Sequence, residues 1–356
     1  MKSFANVLKT VNYSRASSSL PARSRWGDFL TGSKPFSTRT GEARPAVKLI
    51  LLDVFDTLLR PTKPPWEQYY LETLEVTKYK STGRPATSDK EQAESFKRSF
   101  KQAFLQTSKA YPIYGKNLGL SNPDEWWSNV IDSTLIGAGY DPVQVRDEIL
   151  PELVPRLLSR FSSSRAYQLF DDVLPFLEKV RHYNESVSQS DVGVGEGCDS
   201  ILKLSIATNS DSRILLALED LGLPKDLISL DGSISTHEGR GLVGPTLSYE
   251  VGFEKPSKEF FLAACRKNNL SFPDLSLYSS HPTDGSILKR VLYVGDQLYE
   301  DFWGSHDAGL SPLWLQRDFG ESNQPASRTE EGGEGRDPVY LKSRTIRSLE
   351  EVLDFV

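Results

Sequence analysis

The chain has 356 residues and a net charge of −6 at pH 7. This length allows a large core and more than one domain, and the acidic balance argues against a nucleic-acid partner. No apolar run reaches the 18 residues of a membrane span, so no membrane partner is expected. The two cysteines, Cys198 and Cys265, lack metal or redox spacing, which favours a reducing compartment.

Residues 1–47 differ in composition from the rest of the chain. They are basic, rich in serine and threonine, and nearly free of acidic residues. This composition is typical of a mitochondrial transit peptide, so we expect a mitochondrial protein. The alternative is an ordinary disordered tail on a cytoplasmic or nuclear protein. In either case the segment is excluded from the predicted fold.

An unbroken apolar run, Leu49–Leu52, ends abruptly at the carboxylate of Asp53. Such a run predicts a strand that is buried on both faces, as in a parallel sheet. Ligands of open α/β sheets bind at the carboxyl ends of these strands. Asp53 is therefore predicted to lie at the mouth of a crevice, with Asp56 and Thr57 in the turn that follows.

Residues 66–165, within a predicted inserted segment of residues 61–165, have the apolar spacing of helices and contain no strand pattern. Four helices are predicted, the last of them kinked or broken at Pro151 and Pro155. They form a small helical domain inserted after the first strand. Two functions are open for its aromatic cluster: lining a substrate pocket, or packing the interior of the helical domain. The cluster consists of Tyr111, Tyr114, Trp126 and Trp127.

Strands and helices alternate after residue 165, which predicts a doubly wound α/β core made of residues 48–60 and 166–356. Polar inserts are expected near 184–200, 273–287 and 318–338. A short helix is expected at 346–356. The strands are predicted at 202–207, 227–236, 291–294 and 311–315.

Polar residues follow the predicted strands in a fixed order along the chain. The first motif is Asp53-Val-Phe-Asp-Thr57. Ile206-Ala-Thr208-Asn209 and Lys255-Pro256 come next, and Gly295-Asp296 is followed by Asp301. With a helical insert after the first motif, this order resembles the haloacid dehalogenase (HAD) superfamily over residues 48–317. Tyr111–Gly115 and Trp126-Trp127 resemble one branch, named haloacid dehalogenase-like hydrolase domain-containing protein 3. The resemblance implies a Rossmann-like core with a helical cap.

The resemblance also implies the chemistry of the site. Asp53 would be the nucleophile that forms an aspartyl-phosphate, and the substrate would be a small phosphorylated molecule. Mg²⁺ would be held by Asp53, the backbone carbonyl of Phe55 and Asp296. The phosphate would be bound by Thr208, the backbone around Asn209 and Lys255, while Asp301 would support Lys255 or a metal-bound water.

One position departs from the pattern of the family's phosphatases. They place an acid/base aspartate two residues after the nucleophile, where this chain has Phe55. Asp56 follows at a position where the family usually has glycine. General acid–base catalysis contributes about 10²–10⁴ in rate, so turnover is expected to be weak.

Three functions are therefore open at this point. The first is a Mg²⁺-dependent phosphatase, favoured by Asp53, Thr208, Lys255 and Asp296. The second, favoured by Phe55, is a protein that binds ligands but has lost hydrolysis. The third is a 2-haloacid dehalogenase, which has an aromatic residue at the position of Phe55 but lacks this form of the fourth motif.

Overall fold

The structure is a computed structural model that describes residues 46–78, 88–190, 201–228, 244–268, 288–317 and 336–356. The predicted targeting segment, except for its last two residues, and the predicted insert at 273–287 lie outside this part of the chain. Among the helices that are described, none has the length and apolar composition needed to cross a membrane.

A parallel sheet forms the centre of the molecule. Six of the described strands make it up, in the order β5-β4-β1-β6-β7-β8, and each neighbouring pair is parallel. Helices cover both faces, so the predicted doubly wound α/β fold is confirmed. The strands are β1 (Leu49–Leu52), β4 (Lys203–Thr208), β5 (Thr246–Leu247), β6 (Val291–Gly295), β7 (Ser311–Leu315) and β8 (Thr345–Ile346).

The register of the central strands brings three polar chain segments together. Leu52 at the end of β1 is paired with Ile206 of β4 and with Val294 of β6. The next residue, Asp53, donates its backbone N–H to the carbonyl of Val294 at 2.9 Å. The ends of β1, β4 and β6 therefore meet at one edge, where ligands of such sheets bind.

Alternate residues of β1 enter different cores. Leu49 and Leu51 pack with Phe260 and Phe261 on one face of the sheet. Ile50 and Leu52 belong to the larger core on the other face. All four residues of β1 are fully buried, because side chains alternate across a strand and both faces are covered. This explains the unbroken apolar run before Asp53.

Between β1 and β4 the chain forms a helical cap. Its base is a two-stranded antiparallel stem, β2 (Leu59–Pro61) with β3 (Tyr167–Leu169), which the sequence did not predict. The helices are α1 (Pro65–Thr77), α2 (Asp89–Ala110), α3 (Pro123–Gly137) and α4 (Leu150–Arg160). Short turns lie at Pro112–Gly115, Pro142–Gln144 and Val145–Ile149, the last with π-helical geometry.

The two prolines of the last cap helix behave differently from the prediction. Pro151 lies in the first turn of α4, where a missing N–H is tolerated. Pro155 lies inside α4 and does not end it. The buried side chains of Leu153 and Leu157 hold this helix against the cap interior. The interruption falls earlier, at the π-helical turn before Leu150.

The helices of the core also differ in places from the prediction. They are α5 (Val173–Ser190), α6 (Arg213–Asp220) and α7 (Lys258–Lys267), with shorter helices at Lys225–Ile228, Ser248–Val251, Gly304–Asp307 and Pro338–Ser343. A π-helical segment spans Leu298–Trp303 and a 3₁₀-helix spans Leu349–Phe355, shorter than the helix predicted at 346–356. The strand predicted at 227–236 is wrong at its start, because residues 227 and 228 are helical. The rest of that predicted strand lies outside the residues that the structure describes.

The predicted polar insert does not begin at Asn184, because α5 continues to Ser190. The side chain of Asn184 is buried and exchanges two hydrogen bonds with the backbone of Leu202, both of 2.9 Å. Its amide satisfies the N–H and C=O of the residue that leads into β4. Composition alone could not reveal this pairing across the insert.

A carboxylate ties the carboxyl-terminal segment to the core. Asp172 accepts hydrogen bonds from Arg317 (2.9 Å), the Ser348 hydroxyl (2.9 Å) and the backbone N–H of Leu349 (2.8 Å). Burial alone would raise the pKa of Asp172, but these donors outweigh it and hold the pKa below its usual value. The same arginine donates to the carbonyl of Thr57 at 2.7 Å, beside the site.

The Asp172→Asn substitution is expected to lower the free energy of unfolding by about 1–3 kcal/mol at pH 7, because the charged acceptor is lost. A carboxylate with a lowered pKa contributes stability above its ordinary pKa and loses it as the pH falls. The difference between variant and wild type should therefore shrink below about pH 4. Urea unfolding across this range measures it, with the exposed Asp354→Asn as control. A difference independent of pH would contradict an electrostatic role.

Candidate active site

A buried lysine lies between two buried carboxylates at the carboxyl edge of the sheet. Lys255 Nζ is 2.7 Å from Asp53 Oδ1 and 2.6 Å from Asp301 Oδ1. The lysine side chain has no exposed surface. Burial alone would lower the pKa of Lys255, but Asp301 and Asp53 hold it well above its usual value. The side chain is therefore an ammonium, which acts by its charge and not as a base.

The backbone of Lys255 is fixed by the residue after Thr208. Asn209 Oδ1 accepts from the backbone N–H of Lys255 at 2.8 Å, and Asn209 Nδ2 donates to its carbonyl at 3.2 Å. The side chain of Asn209 is thus committed to positioning the lysine. This leaves the backbone around Asn209 for the predicted contact with phosphate.

Asp301 is held from several sides. Its Oδ2 accepts from the backbone N–H of Gln297 at 2.9 Å, and its Oδ1 lies 3.4 Å from the hydroxyl of Tyr293. Burial raises the pKa of Asp301 above its usual value, while the Lys255 ammonium opposes that shift. A Cβ at Gly295 would overlap the Asp301 side chain, so the glycine of the fourth motif makes room for the carboxylate.

Two of the buried oxygen atoms near the strand ends that have no hydrogen-bond partner within the described part of the chain lie on neighbouring segments. They are Asp53 Oδ2 and Thr208 Oγ1. Unsatisfied buried polar atoms are costly, and in native proteins they commonly face a ligand or an ion. Asp53 directly follows β1 and Thr208 is the last residue of β4, and these two strands are adjacent.

The carboxylates of Asp53, Asp296 and Asp301 form an acidic cluster whose ligand atoms all lie within 4.8 Å of one another. Their side chains are buried, and two of them, Asp53 and Asp301, contact the Lys255 ammonium. Asp296 is fixed by the Gln297 side chain and by Trp314 Nε1, which donates to its backbone carbonyl at 2.8 Å. Three carboxylates against one ammonium leave an excess of negative charge, and hard oxygen donors suit Mg²⁺. The donor set fits that ion.

Phe55, two residues after Asp53, is 5% exposed. Its ring centroid lies 6.0 Å from that of Tyr167. The following residue, Asp56, has a φ of +56°, in the left-handed region that favours glycine. The position at which the family usually has glycine therefore keeps that backbone conformation in this chain.

A pocket lies between the cap and the core, next to the site. It holds about 430 Å³ of empty space, part of it open to solvent. Phe55, Ser210 and Asp211 line its core side, two or three positions beyond Asp53 or Thr208 in the chain. Tyr114 and Trp127 line the side formed by the cap.

The predicted aromatic cluster divides between the two functions that the sequence left open. Trp126 is fully buried and donates its Nε1–H to the carbonyl of Tyr111 at 2.9 Å, so it packs the interior of the cap. Tyr114 and Trp127 line the pocket instead.

Sequence reasoning missed three residues at or beside the site. Tyr293 lies inside β6, and its hydroxyl donates to the carbonyl of Ala207 at 2.8 Å. A hydroxyl within an otherwise apolar buried strand was the available signal. Asp211 and Arg213 form an ion pair with a shortest distance of 2.5 Å. Their position just after the end of β4 could have indicated a place near the pocket.

A doubly wound sheet with a helical cap, and a lysine between carboxylates at its strand ends, define a capped α/β hydrolase class. The chain belongs to the haloacid dehalogenase-like hydrolase family. It is 30% identical over 221 residues to a Schizosaccharomyces pombe protein named as an uncharacterised hydrolase, a match covering 62% of this chain and 74% of the relative. No family model matches the chain.

Two further relatives extend the comparison. Haloacid dehalogenase-like hydrolase domain-containing protein 3 of Bos taurus is 25% identical over 265 residues, covering 74% of this chain and 80% of the relative. An uncharacterised protein of Saccharomyces cerevisiae is 26% identical over 275 residues, covering 77% of this chain and 73% of the relative. The family predicted from the motifs is thereby confirmed.

Proposed function

We propose that this protein is a Mg²⁺-dependent phosphatase that transfers the phosphoryl group of a small molecule to Asp53 and then to water. The observation that carries the proposal is the buried arrangement of Asp53, Lys255 and Asp301, with hydrogen bonds of 2.7 and 2.6 Å. Phosphoryl transfer requires positioning and neutralisation of charge more than covalent chemistry. A fixed ammonium beside a carboxylate supplies both.

Asp53 is the carboxylate best suited to attack. Both oxygens of Asp301 accept hydrogen bonds, from Lys255 and from the backbone N–H of Gln297. Asp53 uses one oxygen for Lys255, and its Oδ2 has no hydrogen-bond partner among the described residues. That oxygen is the available nucleophile.

In the first half of the reaction, Asp53 Oδ2 forms a bond to phosphorus while the bond from phosphorus to the leaving oxygen breaks. Lys255 neutralises the attacking carboxylate and a phosphate oxygen, and the hydroxyl of Thr208 donates to another. Mg²⁺ bound by Asp53, the Phe55 carbonyl and Asp296 would offset the charge of the phosphate oxygens.

In the second half, water attacks the phosphorus of the aspartyl-phosphate and the bond from phosphorus to Asp53 breaks. Inorganic phosphate leaves, the carboxylate of Asp53 is restored, and the proton of the water passes to solvent or to the leaving group. Phe55 provides no carboxylate for this proton transfer. The second half is therefore expected to be slow.

Phe55 also favours a second candidate function, a protein that binds phosphate and metal without turnover. Its ring is buried against Tyr167 at the position where the family's phosphatases have an acid/base aspartate. The acidic cluster, in contrast, argues against a 2-haloacid dehalogenase, whose reaction needs no such cation site.

The proposed function is tested by phosphate release from a panel of phosphorylated metabolites and acetyl phosphate, with and without Mg²⁺. A phosphatase releases phosphate only in the presence of Mg²⁺. If equilibrium binding of phosphate compounds is seen but no release above background, the binding function is correct. Release of halide from 2-haloacids would instead indicate dehalogenation.

Asp296→Ala is expected to weaken Mg²⁺ binding by about 100-fold or more, since loss of groups that merely orient ligands already costs 10–100-fold. Isothermal titration calorimetry measures this directly and without substrate. The exposed Asp354→Ala serves as control and should bind as the wild type does. Unchanged affinity in Asp296→Ala would remove this residue from the proposed metal site.

A further inference from the structure

The pocket beside the site is walled mainly by aromatic rings. Half of its twelve lining residues are aromatic. Phe55 and Tyr167 lie next to the loop that follows Asp53, and Tyr114 and Trp127 face them from the cap. Flat apolar groups bind between such rings by burial and by stacking.

The charged residues of this pocket neutralise each other. Arg213 Nε donates to Asp211 Oδ1 at 2.9 Å, and Nη2 donates to Asp211 Oδ2 at 2.5 Å. Arg213 Nη1 reaches Asp124 at 3.2 Å, and Trp127 Nε1 donates to Asp211 Oδ2 at 3.3 Å. The guanidinium charge is thus matched within the pocket. A second anionic group on a ligand would find no uncompensated cation among the lining residues.

The cap holds one wall of the pocket in an uncommon backbone conformation. Ile113 has a φ of +50° and Tyr114 a φ of +56°. A β-branched residue in this region is a true outlier, and such strain persists where the surrounding structure demands it. The Tyr114 ring lies edge-on to Trp126 at 5.3 Å and to Tyr249 of the core at 6.2 Å. The ring is therefore a fixed wall of the pocket.

No carboxylic acid among the described lining residues is placed to protonate a leaving group. Phe55 has none, and Asp211 is the carboxylate of the pocket. Its two oxygens accept from Arg213 and Trp127, which fixes the side chain in place. Without a carboxylic acid in this pocket, a leaving group that is stable as an anion departs more readily. Phenoxides do so far more readily than alkoxides, since a phenol has a pKa near 10.

We propose that the substrate is a phosphate monoester of an uncharged aromatic hydroxyl compound. This inference rests on the proposed function and specifies its substrate class. The ring occupies the aromatic pocket while the phosphate reaches Asp53. Transfer breaks the bond from phosphorus to the aryl oxygen and releases an aryloxide. Hydrolysis of the aspartyl-phosphate then yields phosphate, and the proton from water converts the aryloxide to the phenol.

Binding is measured first in the Asp53→Asn variant, which cannot be phosphorylated at that position, with Mg²⁺ and calorimetry. Phenyl phosphate should bind about tenfold or more tightly than methyl phosphate, the gain expected for burial of a phenyl-sized group. It should also bind about tenfold more tightly than 4-carboxyphenyl phosphate, which brings an unmatched charge. Equal affinity for phenyl and methyl phosphate would overturn the inference.

The neutralisation of Arg213 by Asp211 is tested by adding Asp211→Asn to the Asp53→Asn variant. The freed Arg213 charge should narrow the preference for phenyl over 4-carboxyphenyl phosphate by about fivefold or more, a change of about 1 kcal/mol or more. Asp124→Asn is the matched control and should change the preference by less than about twofold, because the Asp124 side chain is 60% exposed. Circular dichroism checks folding, and if Asp211→Asn does not fold, the ligand series above decides the inference.

The two proposals can fail separately. If the wild-type protein hydrolyses acetyl phosphate but does not bind phenyl phosphate more tightly than methyl phosphate, the proposed substrate class is wrong and the proposed phosphatase function is supported. If phenyl phosphate binds selectively but no donor releases phosphate, the pocket's specificity is supported and the phosphatase is wrong.

Discussion

Asp53→Asn is expected to reduce phosphate release by about 10⁴-fold or more, the scale seen when an enzyme loses its nucleophile. The change is isosteric, and the amide oxygen still accepts a hydrogen bond from Lys255. Asp301 remains 2.6 Å from the same ammonium, so the buried lysine keeps a charged partner. Loss of activity should therefore come without loss of folding.

Steady-state phosphate release and trapping of the intermediate test this prediction together. Acid-quenched wild-type protein should carry one phosphoryl group on the peptide that contains Asp53, detectable by mass spectrometry. Asp53→Asn should carry none, while the exposed Asp354→Asn should match the wild type. Turnover of Asp53→Asn within about tenfold of wild type, or a phosphoryl group on another carboxylate, would contradict the assignment of the nucleophile.

The sequence predicted the parts of the site that depend on local pattern. An apolar run ending at Asp53 is enough to predict a buried strand and a carboxylate at its end. Lys255 lies 202 residues further along the chain, and no local pattern links it to Asp53. Only the order of motifs in a known family placed the two residues in one site.

The pairing of strands that are distant in the sequence, and the hydrogen-bond partners of individual side chains, could not be predicted from the sequence. The β2–β3 stem joins residues separated by the whole cap, and each strand has only three residues, too few for a clear alternation pattern. The polar composition after Asn184 predicted an insert that begins at this residue. The contact of Asn184 with Leu202 could not be predicted, because Leu202 lies beyond that insert. The backbone around Asn209 was assigned to the phosphate, but the role of its side chain, which holds the backbone of Lys255, was not predicted. Such roles are set by tertiary contacts.

Phe55→Asp is expected to raise hydrolysis of alkyl phosphates by about 100-fold, the lower range for general acid–base catalysis. The new carboxylate would stand two residues after the nucleophile, where it can protonate the leaving oxygen and later activate water. Loss of the buried ring is expected to cost about 3 kcal/mol of stability, the range for removing a large core side chain. The thermal stability of each variant is therefore measured alongside its rate of hydrolysis.

The neighbouring position allows a refined version of this variant. Asp56 already has a φ of +56°, so Asp56→Gly fits the existing backbone without strain. The double substitution Phe55→Asp/Asp56→Gly restores the family's usual pair at these positions. If the extra carboxylate of Asp56 disturbs the new acid, the double variant should exceed Phe55→Asp in rate.

Phe55→Asn is the matched control, because it removes the same ring and adds a polar group of the same size that donates no acidic proton. Benzyl phosphate and phenyl phosphate separate the two effects. The gain from Phe55→Asp should be large for benzyl phosphate, whose alkoxide needs a proton, and small for phenyl phosphate, whose phenoxide does not. Each gain should vanish when Asp53→Asn is added. Fast wild-type turnover of benzyl phosphate would show instead that Asp56 or a cap residue already transfers the proton, and that Phe55 does not limit this enzyme.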